Sequence, residues 1–245
     1  MTRIIFCEGK TDAILLSYYL GKTKGWLHNK KPTKFKIAHP DADNEFIGHY
    51  KNADGEELSI CAVGGKDNFL GFYKEHVESY ILESENEETE YKIAFVIDRD
   101  NREIEEIEKY FSDNLLPCIT SLVDGTWMMN SFENSFGQDA QCCTLGVVIP
   151  HSKQGALENL LMDALSEDTY RGNLVDKSKS FVEEISPDAA EIMTSERLKL
   201  KTKLGVSLAV LYPEKVFSLI DEQLKSINWE RSQILNDCFK ELINI

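Results

Sequence analysis

Two short, almost wholly apolar runs each end abruptly in carboxylates, and this constrains the fold more than any other feature. Residues 3–7 (RIIFC) run into Glu8-Gly9, and residues 92–97 (KIAFVI) run into Asp98-Arg99-Asp100-Asn101. A strand that is apolar at successive rather than alternate positions has both faces buried. That pattern predicts a parallel sheet covered by helices on each side.

The segments between these runs fit the same plan. Thr11 can cap a helix whose apolar positions Ala13, Leu16, Tyr19 and Leu20 recur at helical spacing. Short apolar runs at 35–38 and 58–63 predict strands, and the turn Asn52-Ala53-Asp54-Gly55 lies between them. Gly64-Gly65 makes a sharp turn before a helix over about 67–82, and the acidic run at 83–90 (ESENEETE) reads as a solvated loop. A charged helix is expected at 102–114, with extended segments at 119–123, 127–130 and 145–149. From about residue 154 the pattern is helical, with breaks near Arg171-Gly172-Asn173, Ser186-Pro187 and Tyr212-Pro213. The expectation is an α/β chain. Residues 1–150 form a Rossmann-like core, a central and mainly parallel sheet flanked by helices; residues 151–245 form a helical extension packed on it.

In open parallel sheets, ligands bind outside the carboxyl ends of the strands, so the acids there are the ones to inspect. Asp100 follows Asp98 by two residues, so an extended backbone points both to one side and Arg99 away. If the two strands are neighbours, roughly 4.8 Å apart, Glu8, Asp98 and Asp100 converge on one small volume. Like charges so close repel, and a bound Mg²⁺ or Mn²⁺ relieves them while bridging phosphate oxygens. Taken singly, each of these acids is also an ordinary turn residue, because Asp and Asn are common where strands end.

The formal net charge of −15 excludes a protein that coats nucleic acid by charge alone. Local basic groups exist even so: Lys22, Lys24, Lys30, Lys31, Lys34 and Lys36, and later Arg197, Lys199, Lys201 and Lys203. Either is also read as solvated surface. The six cysteines form no CxxC pair, and Cys7 and Cys61 lie in apolar runs, as buried thiols in a reducing compartment do. No stretch approaches the ~18 apolar residues of a membrane span, so the expected location is the cytoplasm, away from membranes.

Several tempting motifs fail. Gly-Lys-Thr occurs at 9–11 and 21–23, but a phosphate-binding loop needs another glycine five positions earlier, where Ile4 and Leu16 stand. His28, His39, His49, His76 and His151 show no paired metal spacing, and His39 and His49 beside Asp41 and Asp43 read as a polar surface loop. Trp26, Trp127 and Trp229 are isolated and read as packing residues.

Residues 6–13 (FCEGKTDA) resemble the first Toprim motif, a hydrophobic strand followed by Glu-Gly and a helix-starting acid. Residues 95–100 (FVIDRD) resemble its second, a hydrophobic strand followed by Asp-x-Asp. The chain is similar throughout to stand-alone Toprim-like proteins related to the OLD (overcoming lysogenization defect) nucleases. Val147-Val148-Ile149-Pro150, Gly155-Ala156-Leu157-Glu158, the Lys-rich segment at 199–203 and Phe239…Leu242 extend the likeness. The resemblance implies a Toprim-like fold and a metal-dependent nuclease acting on DNA or RNA. It makes Glu8 a metal ligand or general acid/base, Asp98 and Asp100 ligands of Mg²⁺ or Mn²⁺, and Asp12 and Glu158 ligands of a second ion. Asp12 is equally an acid favoured in a first helical turn. Lys10, Lys201 and Lys203 are weaker candidates for substrate phosphate. Because both Gly-Lys-Thr sequences fail, any ATP-gated activity would need a separate ATPase subunit. Two other roles stay open, a non-catalytic Toprim-like binding protein and a primase-type nucleotidyl transferase, and a homo-oligomer is open under every reading.

Overall fold

A computed structural model of the chain describes residues 1–31, 35, 45–83 and 90–245. The strand expected at 35–38 beyond its first residue, the interior of the acidic run at 83–90, and Lys34, Lys36, His39, Asp41 and Asp43 lie outside the described residues.

Strand β1 (Thr2–Cys7) leads through Gly9 into helix α1 (Lys10–Lys24). Two outer strands follow, β2 (Leu27–His28) and β3 (Glu45–Lys51), then β4 (Glu57–Val63). The helical segment after Gly64-Gly65 consists of α2 (Phe69–Phe72), a wide π-helical stretch (Tyr73–Glu78) and α3 (Ser79–Leu82). Then come β5 (Glu90–Asp98), α4 (Ile104–Asn114), β6 (Met128–Glu133) and β7 (Asp139–Ile149). Helices alone follow: α5 (Leu157–Leu165), α6 (Thr169–Ile185), α7 (Glu196–Leu211), α8 (Ile220–Ser226) and α9 (Gln233–Cys238).

The sheet order is β2-β3-β4-β1-β5-β7-β6. The four central strands are mutually parallel, whereas β3 and β6 run antiparallel to their inner neighbours. The expected α/β architecture, a mainly parallel sheet with helices on both faces and further helices at the C-terminus, is the one observed. Side chains alternate between the faces, as the two-residue period requires. Ile5, Cys7, Ile60, Ala94, Val96 and Val147 pack under α1 and the C-terminal helices. Ile4, Phe6, Cys61, Val63, Phe95 and Val148 pack under α2–α4. Burying both faces explains the continuous apolar runs; each fully buried Leu, Ile or Phe contributes roughly 1.5–3 kcal/mol.

Four local expectations are corrected. Gly9, not Thr11, precedes α1, and its amide donates to Asp12 Oδ2 at 3.0 Å. Helix α6 runs unbroken through Arg171-Gly172-Asn173, because Gly172 is accommodated inside a helix capped at Asp168. Residues 119–122 form no strand, and Val123 makes only an isolated bridge to Thr126. Asp100 is not extended: its φ of 53° is left-handed.

Trp26 and Trp229 are buried, and Trp127 packs against the core. Cys7 and Cys61 are buried, and all six cysteines are free thiols. Among the described residues no helix is long and apolar enough to cross a membrane.

Candidate metal and phosphate site

The chain enters the site through the pairing of β1 with β5. Cys7 lies opposite Val96, so the next residues in each strand, Glu8 and those leading to Asp98, emerge side by side at the carboxyl end of the sheet. The Asp98 amide donates to Glu8 Oε1 at 3.1 Å. On the other side of β5, the Leu157 amide at the start of α5 donates to Asp98 Oδ1 at 2.8 Å. Asp98 thus sits at a helix N-terminus, where amides are without helical partners and negative charge is favoured. Asp12 comes from the first turn of α1 and Glu158 from the first turn of α5, and both are buried. The structure brings Glu8 and Asp98 together, and Glu8, Asp12 and Glu158 line one cleft beside Asp98.

Asp100 reaches the group by a different route from the one expected. Its backbone amide donates to Gly155 O at 2.6 Å and its carbonyl accepts from Gly155 N at 2.8 Å. This closed pair holds the left-handed turn. Gly155 itself has φ 146°, and a Cβ there would meet Asn159 Oδ1 at 2.5 Å, so only glycine fits.

A guanidinium lies among these acids. Arg197, on the first turn of α7, places Nη2 2.6 Å from Asp98 Oδ2, Nη1 3.6 Å from Asp100 Oδ1 and Nε 3.6 Å from Glu158 Oε2. Lys66 Nζ donates to the other Asp100 oxygen at 2.8 Å. The cleft has a volume of about 340 Å³, and Glu8, Asp12, Glu158, Lys10, Arg197 and Lys201 line it along with Gly64-Gly65. Lys203 is not brought there; it pairs with Glu183 on α6.

The electrostatics follow from burial and crowding. Burial first, then the charges of Asp98, Asp12 and Asp100, push the Glu8 carboxyl well above the usual carboxylate range; Arg197 offsets part of this. Burial and Asp98 raise Asp12 likewise, against a backbone hydrogen bond and Arg197. Burial also raises Asp98, while Arg197 and the Leu157 amide pull it back. Burial works against the charge of Arg197, but Asp98 and Glu158 more than compensate, so it holds its proton more tightly than usual.

This donor set suits a hard divalent cation. It is all oxygen, it carries surplus negative charge, and the buried Asp98 Oδ2 and Glu158 Oε2 face the Arg197 guanidinium, Glu158 Oε2 with no hydrogen bond of its own. Glu8, Asp98 and Asp12 each use one oxygen for a backbone amide, which fixes the carboxylate plane and leaves the second oxygen for a ligand. Among the described residues no three His, Cys, Asp or Glu side chains are already gathered as ligands. Arg197 and Lys66 draw Asp98 and Asp100 towards themselves instead.

Residues 2–244 match the family described as "Protein of unknown function (DUF3226)". The chain belongs to this family. No curated protein matches it. Among solved structures it is similar to a hypothetical protein, PH0156, from Pyrococcus horikoshii OT3. The two share 17% identity at a TM-score of 0.44, over 99% of this chain and 100% of the other.

In this DUF3226 protein, reading the sequence placed Arg197 only within a basic group and passed over Lys66. The missing signal was helical spacing. Arg197 and Lys201 are four residues apart on α7 and share one face, so both line the cleft; Lys203 is two residues further and faces elsewhere.

Proposed function

We propose that the chain is a Toprim-type, divalent-metal-dependent phosphodiesterase that hydrolyses DNA or RNA. One observation supports this reading above others: Glu8, Asp12, Asp98 and Glu158, buried and drawn from two adjacent strand ends and two helix starts, gather beside a cleft edged by Lys10 and Lys201. Glu8, Asp98 and Asp100 would hold one Mg²⁺ or Mn²⁺, and Asp12 and Glu158 a second. Such an ion, when bound, polarises a phosphoryl oxygen and lowers the pKa of water to make a nucleophile. The amides of Asp98 and Leu157 keep the carboxylates of Glu8 and Asp98 oriented. Lys10 and Lys201 supply positive charge against the phosphate backbone, which the chain as a whole, at −15, does not. Any ATP dependence would come from a separate ATPase subunit.

Incubating pure protein with plasmid, single-stranded DNA and RNA in Mg²⁺ or Mn²⁺ tests this. At least one substrate should be cut, and Asp98→Ala should slow cleavage by at least the roughly 10–100-fold typical of losing a metal's supporting group. Equal cleavage by Asp98→Ala would place the activity elsewhere. A non-catalytic binding role is the second reading, and the Arg197 contacts favour it, because they partly neutralise the carboxylates without any ion.

A further inference from the structure

Arg197 is placed where a metal ligand set needs a cation, and it touches three carboxylates at once through three different nitrogens. Its grip is uneven. The contact to Asp98 is short at 2.6 Å, whereas those to Asp100 and Glu158 are 3.6 Å, beyond direct hydrogen-bond distance, so the guanidinium is bound closely to one carboxylate and by charge alone to the other two. The side chain is about one third exposed, whereas that of Asp98 is fully buried. The arginine can therefore leave towards solvent, and the carboxylates cannot. It is also carried by the first turn of α7, one helical turn before Lys201, at the mouth of the cleft.

We infer that Arg197 is an internal counter-cation that a divalent metal must displace, and that the released guanidinium becomes a phosphate ligand at the cleft mouth. The inference rests on the metal-site reading given above. A monovalent guanidinium and a divalent ion cannot both take the inward oxygens of Asp98 and Glu158. Whichever occupies them excludes the other, so metal binding is weakened by the fraction of molecules in which Arg197 is seated. Once free, the guanidinium lies beside Lys201, and its planar donor fork matches the oxygens of a phosphate. The chain would thus hold itself together in the absence of metal and add Arg197 to the cations of the cleft only after loading.

Calorimetric titration of Mn²⁺ into metal-free wild type, Arg197→Gln and Arg197→Lys tests this, with folding checked by circular dichroism. Arg197→Gln should bind Mn²⁺ about tenfold more tightly or better, as expected when a mostly seated competitor is removed. Arg197→Lys, which keeps the charge, should show a smaller gain. The same Arg197→Gln protein should bind a single-stranded oligonucleotide in Ca²⁺ more weakly than wild type. Unchanged or weaker Mn²⁺ binding by Arg197→Gln, with wild type binding normally, overturns the displacement idea and leaves the metal site standing. No Mn²⁺ binding by either protein overturns both. If Arg197→Gln does not fold, the ¹⁵N–¹H signal of the Arg197 Nε in wild type decides the matter. It should shift and exchange faster with water as Mg²⁺ is added, and a signal indifferent to saturating Mg²⁺ contradicts displacement.

Discussion

At the scale of single residues, the site is built from groups that folding alone disfavours. Glu8, Asp12 and Asp98 are buried carboxylates pushed upward in pKa by burial first and then by neighbouring carboxylates, Asp98 acting on Glu8 and Asp12 and Glu158 acting on Asp98. Isolated buried charges of one sign destabilise a fold unless paired, so they mark function rather than stability. Glu8→Gln keeps the shape and the bond from the Asp98 amide while removing the charge. It should leave the metal-free melting temperature unchanged or higher and abolish stabilisation by Mg²⁺ or Mn²⁺; a thermal melt with and without metal reads both. Gly155 belongs to this scale as well. Gly155→Ala forces a side chain into Asn159 and disturbs the backbone pair that holds Asp100. It should cost about 1–3 kcal/mol in urea unfolding, because a non-glycine residue is strained at that φ. It should weaken metal binding too.

At the scale of elements, the inner strands were readable and the outer ones less so. β1, β4 and β5 are buried on both faces, so their apolar runs announce them. β3 is an outer strand of mixed polarity, Gly48-His49-Tyr50-Lys51, and carries no such signal, while β6 was legible only over its first residues, within the extended segment expected at 127–130. Glu8 and Asp98 were legible because each stands where a buried strand ends, whereas Asp12 and Glu158 came only with the Toprim resemblance. Arg197 was not legible, because a residue 97 positions beyond Asp100 reaches it only through tertiary packing of α7. Helical phase on that element leads to a prediction. Lys201→Ala should weaken nucleic-acid binding, measured by fluorescence anisotropy at fixed salt, and reduce its salt dependence by about one phosphate contact. Lys203→Ala, which removes only the pair with Glu183, should leave binding within error. The opposite ranking would mean that the nucleic acid does not run along this face of α7.

At the scale of the whole molecule, the C-terminal helices do more than extend the sheet. They cover one face together with α1, with Leu161, Leu208, Trp229, Leu235 and Phe239 in one cluster with Ile5, Cys7 and Val96. They also bring Glu158, Arg197, Lys201 and the Leu157 amide to the acids of β1 and β5. A fragment of residues 1–150 should therefore expose an apolar sheet face, aggregate on expression and show no Mn²⁺-dependent stabilisation, as solubility and thermal melts would report. The central claim is that these carboxylates share a divalent cation. The most direct measurement is anomalous diffraction from crystals soaked in Mn²⁺. The account predicts a peak within about 2.0–2.3 Å of the inward oxygen of Asp98, typical of a hard cation on carboxylate, with Glu8 and Asp100 also bound and Arg197 turned away. No peak at saturating Mn²⁺, with Arg197 still seated on Asp98, would contradict it.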